Sequence, residues 1–211
     1  MSTDAKAGLA LIVGTIAGLV TMSLHPTGHD ALANAARGGH NALATAVHLL
    51  ALAAQPLMLL GALALTLRLL AQRELAVGAY VVYALATVAV MVAAAASGLI
   101  APNVLAHYAA AQGPARDAMM AGLHYTGLIN QAFVKVYVAF ASVAIILWSA
   151  AMLRGGGFSR ALAVYGVALS AVLLGGLLAG HLRMNVHGFG VVVVGQGLWM
   201  TWTGVLLWRA A

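Results

Sequence analysis

The sequence predicts an all-α integral membrane protein, a single six-helix transmembrane bundle over residues 1–211 with both termini in the cytoplasm. Three observations carry that prediction. The chain is 64% hydrophobic and 7% charged, whereas a soluble domain is about 45–50% apolar and about 25% charged. Its mean hydropathy is +1.00. Its apolar residues fall in six runs rich in Ala, Leu and Gly, without the alternation that barrel strands of about 10 residues require. Ten basic and four acidic residues are too few to solvate a soluble enzyme, a disordered chain or a secreted domain.

A spanning helix needs about 20 apolar residues to cross roughly 30 Å of hydrocarbon. The first expected span covers residues 7–24. Lys6, the apolar run and Ala33-Asn34-Ala35 resemble a signal peptide with its cleavage site, but the segment is read as a retained helix. The next spans are expected at 43–70 and 75–100, joined by a short turn at 71–74. A long connection, 101–130, follows; it is expected to hold a short interfacial helix, with Pro102 ending the preceding span and Gly113-Pro114 breaking the chain again. The last three spans are expected at 131–153, 161–180 and 188–208. Gly14-xxx-Gly18 and Gly176-xxx-Gly180 have the spacing that lets helix backbones approach closely.

Sidedness follows from the basic residues. Lys6, Arg68, Arg73, Arg154, Arg160 and Arg209 fall on the side of the termini, against Arg37, Arg116 and Arg183 on the other, with Lys135 near a span edge. The positive-inside rule then places the termini in the cytoplasm and the long loops in the periplasm of a bacterial inner membrane. The formal net charge of +6 is scattered singly, so nucleic acid is not an expected partner. The expected partners are lipid, a quinol or periplasmic redox protein, and further copies of the chain.

The eight histidines, His25, His29, His40, His48, His107, His124, His181 and His187, all fall in outer loops or outer span ends on this topology. Counting back from Arg68 at 1.5 Å per residue brings His48 to the outer hydrocarbon boundary, and His25, His181 and His187 border their own spans. Ionisable groups at that depth are costly and usually face the bundle interior. An interfacial imidazole can also simply anchor to water and headgroups. As a set, however, the expected ligands are His25, His48, His181 and His187, joined by His124 and His107, with His29 and His40 behind the ligands or at the surface.

Three chemistries fit such a set. The leading expectation is b-type haem, in electron transfer or quinol-linked oxidoreduction. His25, His48, His124, His181 and His187 are its candidate ligands, and Arg37 or Arg183 its propionate partners. His48 and Gln55 share a heptad spacing that His124 and Gln131 repeat, and Gly175, Gly176, Gly180, Gly188 and Gly190 could open space for the ring. The second is a His-ligated copper or other transition-metal site for metal handling or oxidation, near His25-Pro-Thr-Gly-His29, Asp30 and the outer methionines Met22, Met119, Met120 and Met184. Pro26 and Gly28 predict a turn there rather than a helix.

The third is a small-solute transporter or structural subunit, with Lys135, Asn130-Gln131, Gln196 and the Gln55-Pro56 step as its polar features. Cysteine is absent, which removes thiolate metal sites and thioether-linked haem. The sole glutamate is Glu74, so no His-Glu-x-x-His protease or glutamate acid/base pair exists. No phosphate-binding Gly-rich loop or Gly-x-Ser-x-Gly motif is present.

Overall fold

A computed structural model describes every residue except Gly38, His40, Ala109, Gly156, Gly157, Ala210 and Ala211. Eight α-helices account for nearly all of it: α1 (Thr3–Ser23), α2 (Gly28–Ala36), α3 (Ala42–Arg68), α4 (Arg73–Ala95), α5 (Ala101–Ala106), α6 (Gly113–Gly155), α7 (Arg160–Leu178) and α8 (Val186–Arg209). Six helical segments are long and apolar enough to cross a membrane, as the composition requires. The described residues include no strand.

The bundle is built from neighbouring pairs. α1 packs against α3 and α8, α4 against α6, and α6 against α7. Trp148 and Trp199 stack at 6.1 Å between ring centroids, and Tyr83 packs on Trp148 at 5.4 Å. All three are buried, and the Trp148 indole N–H donates to Thr66 Oγ1 at 3.1 Å, which joins α6 to α3. At the end of the bundle that holds both termini, Arg68 Nε donates to Asp4 at 2.7 Å.

Three features differ from the sequence expectations. Pro102 does not end the third span. α4 runs through a π-helical turn at Ala96–Ile100 straight into α5, and Pro102, at the first turn of α5, has no N–H to give to the preceding turn, a gap that the change of hydrogen-bond register at the π turn accommodates. α6 is 43 residues long, so it begins at Gly113, with a φ of 53°, and absorbs most of the expected outer loop. The loop after α1 also contains a helix. Thr27 caps α2 and exchanges hydrogen bonds with Asp30 in a capping box, so the turn at His25–Thr27 is real but ends at Gly28.

Gly-xxx-Gly packing also lies elsewhere. A Cβ on Gly8 would meet the Gly204 carbonyl oxygen at 2.5 Å, and one on Gly204 would meet the Gly8 oxygen at 2.8 Å. α1 and α8 therefore touch backbone to backbone at these two glycines. Gly14 does pack against Met58, but Gly18 and Gly180 have no neighbour within 4 Å and Gly176 makes only ordinary contact with Leu182.

Candidate functional site

The end of the bundle opposite the termini encloses a cavity of about 770 Å³. The end of α1, the start of α3, the π-helical turn, α5, the upper half of α6 and the start of α8 line it. α2 contributes Ala31 and Leu32. Most of the lining is apolar, and His25, His48, His124 and His187 all reach it.

Two of these histidines are in direct contact. His25 follows the end of α1, where Pro26 cannot continue the helix hydrogen bonds, so the chain turns and frees the His25 ring from the helix. His48 sits in the second turn of α3 and is 5% exposed. Their Nε2 atoms are 3.1 Å apart. The rings meet in a T-shaped contact, with centroids 4.7 Å apart and planes at 67°.

The other nitrogen of each ring is already committed. His25 Nδ1 lies 2.8 Å from the Pro26 carbonyl oxygen, and His48 Nδ1 lies 2.6 Å from that of Ala44. A carbonyl only accepts, so both Nδ1 atoms must carry the proton. Three short contacts in a row thus need three positive bridges. Two neutral imidazoles supply two protons. The facing Nε2 lone pairs repel unless a third cation, either a proton or a metal ion, lies between them.

The surroundings hold this arrangement in place. The π-helical turn presses Gly98 onto His48: a Cβ there would lie 2.1 Å from His48 Cβ and 2.5 Å from Cγ. Only glycine permits that approach, and the imidazole is pinned from the side. Thr21 Oγ1 donates to the Val47 carbonyl at 3.1 Å and ties α1 to α3 beside the pair. Burial holds His25 below the usual imidazole range, with the Pro26 carbonyl acting in the opposite sense.

The remaining expected site residues are dispersed. His124 and His187 are exposed at the cavity wall. His107 faces a separate shallow hollow with Asn103 and Met119, its Nδ1 3.1 Å from the Asn103 oxygen. His181 is exposed and does not line the cavity, although its hairpin neighbour His187 does. Arg37, Arg183 and His29 are exposed and away from the lining, and His40 lies outside the described residues. Among the described residues, no group of three or more His, Cys, Asp and Glu side chains gathers around one point.

Of the polar residues picked out with the histidines, Gln55 donates to Ala51 of its own helix and does not line the cavity. Gln131 does line it and donates to the Met184 carbonyl at 2.7 Å. Pro56 sits inside an unbroken α3, so it marks no broken-helix site, and Lys135 is exposed. Met22, Met120 and Met184 line the cavity. Asn130, picked out beside Gln131, lines the cavity too, whereas sequence reasoning missed Asn41 and Gly98. The Ser97-Gly98 step amid alanines was the one visible hint of the last. The chain matches no family model, no curated protein and no solved structure.

Proposed function

We propose that this multi-pass membrane protein holds a transition-metal ion between His25 and His48, facing the periplasm of a bacterial inner membrane, with copper the preferred metal. Its use would be redox chemistry or metal handling. The observation that carries the reading is the pair of facing Nε2 atoms, 3.1 Å apart, with both Nδ1 atoms turned onto carbonyls. Imidazole nitrogens bind first-row metals at about 2.0–2.1 Å, which sets two of them about 3.3 Å apart on a tetrahedral ion. The pair is within a small rotation of that spacing.

Copper is favoured by the donors at hand. Imidazoles and the nearby Met22 thioether suit it, and the cavity lining contains no carboxylate for a harder ion. Two protein ligands leave positions open towards the cavity, where an apolar reductant such as a quinol would fit by size and lining.

The geometry supports haem b less well. Two axial imidazoles on one haem iron, each bonded at about 2 Å, stand about 4 Å apart with the ring between them. His25 and His48 leave no such slot. As placed, His25 and His48 are not the two axial ligands of one haem.

The test is metal analysis and absorption spectroscopy on protein purified from cells supplied with copper and haem. Near-stoichiometric copper without a Soret band, lost in His48→Ala and in His25→Ala, is the expected result. A Soret band with stoichiometric iron would replace this reading with haem. Protein free of copper, iron and other transition metals would overturn both.

A further inference from the structure

Asn130 and Gln131 are neighbours on α6, half-buried, and both line the cavity. Each is oriented by a backbone carbonyl of another element. Asn130 Nδ2 donates to the Ala93 oxygen at 3.1 Å, just before α4 enters the π-helical turn. Gln131 Nε2 donates to the Met184 oxygen at 2.7 Å, in the connection between α7 and α8. A carbonyl only accepts, so these bonds fix which end of each amide is nitrogen and which is oxygen.

What remains is a pair of acceptors. Asn130 Oδ1 and Gln131 Oε1 have no hydrogen-bond partner among the described residues, and neither is sealed within the packing. The other polar groups of the lining do not offset them. Thr21 and Thr126 commit their hydroxyl protons to the Val47 and Gly122 carbonyls. Asn41 donates to Ala31 and accepts from Asn34. Ser97, Asn185 and the imidazoles of His124 and His187 serve a donor and an acceptor alike.

Among the described residues the lining holds no Asp, Glu, Lys or Arg, so nothing there compensates a charged ligand for its lost hydration. Val90 and Val134 are the lowest lining residues of α4 and α6. They stand about 26 and about 30 Å along their helices from Arg73 and Arg154, which brings the cavity floor to the outer edge of a hydrocarbon layer of roughly 30 Å. A ligand can therefore keep a polar head in the cavity and an apolar tail in lipid.

We propose that this cavity binds a neutral amphiphile whose head donates hydrogen bonds, a quinol in preference to the corresponding quinone, and that Asn130 and Gln131 make the choice. A quinol offers phenolic O–H groups to the amide oxygens. A quinone offers only carbonyl oxygens, which would face oxygen lone pairs and leave both amides unmet. A site built to hydrogen-bond one partner rejects the analogue that lacks the matching group. The proposed metal faces the same cavity, so the ligand's use as a reductant rests on that reading; its binding does not.

Para-decylphenol and its methyl ether, para-decylanisole, differ only in the donor. Both are titrated into the protein in lipid nanodiscs with a chelator present, and partition into empty nanodiscs is subtracted. The phenol should bind about three- to tenfold more tightly than the ether, the range of one hydrogen bond. Asn130→Leu/Gln131→Met should bring the two within about twofold. In ¹⁵N-labelled wild type the phenol alone should shift the side-chain amide signals of Asn130 and Gln131, a readout that stands even if the double variant does not fold. Equal binding of phenol and ether, or a preference that the double variant keeps, would overturn the proposal. So would dodecanol binding as tightly as the phenol, which would assign the site to a lipid alcohol. Protein that binds copper without this preference contradicts the ligand alone, and protein that shows the preference but binds no metal contradicts the metal alone.

Discussion

His48 is fixed from three directions: the Ala44 carbonyl below it, the Gly98 backbone at its side and His25 in front. Its ability to bind an ion therefore depends on a residue that touches no ligand. Gly98→Ala should force the imidazole or the π-helical turn to shift, at a cost of about 1–3 kcal/mol for overpacking, and should weaken copper binding at least tenfold. A metal titration with a thermal melt checks both parts, and an unchanged affinity would contradict the role given to Gly98.

A different residue-scale effect governs α2. Hydrogen bonds from the Thr27 hydroxyl and backbone N–H hold the Asp30 carboxyl below its ordinary value of 3.8. A carboxylate with a depressed folded value stabilises above its unfolded value and loses that contribution as pH falls through the folded one. Protection of the α2 amides, taken relative to the intrinsic exchange rate at each pH, should therefore fall on acidification below pH 3.8, and Asp30→Asn should remove that dependence. Equal acid sensitivity in both proteins would count against the cap. That His25 and His48 fall at the same end of the bundle was legible from residue type and position alone, whereas the other expected members are dispersed. The facing of two particular nitrogens was not, because it rests on ring rotations and on a glycine in another helix.

At the scale of elements, hydropathy located the spans well and the close approaches poorly. A glycine pair on one helix is visible in sequence, whereas the contact that matters joins Gly8 of α1 to Gly204 of α8, near opposite ends of the chain. Gly8→Ala should lower the melting temperature measurably, since its Cβ would strike backbone atoms at 2.5 and 2.7 Å. Gly18→Ala, at a position with open space, should leave it unchanged, and the reverse order of effects would refute this packing. The length of α6 was hidden for another reason. At 1.5 Å per residue its 43 residues extend about 64 Å, roughly twice the hydrocarbon thickness. Its first half carries Arg116, Asp117, His124 and Asn130, so it is helical without being apolar enough to read as a span.

For the whole molecule, composition settled the class, since a chain 64% hydrophobic has few other ways to satisfy its backbone than six membrane helices. The cavity at the end away from the termini follows from the long α6 and the short α2 and α5, which build that end upward. Its proposed orientation is open to a direct check because the chain has no cysteine. A membrane-impermeant maleimide added to intact cells should label His29→Cys and spare Gln72→Cys; the opposite pattern would invert the topology.

The central claim, a metal ion bridged by His25 and His48, is tested most directly by X-ray absorption at the copper edge on the purified wild type and His48→Ala. The account predicts about one copper per chain with imidazole nitrogens at about 2.0 Å, and loss of that signal in the variant. Copper-supplied wild-type protein with no bound metal, or with copper that His48→Ala leaves untouched, would contradict it.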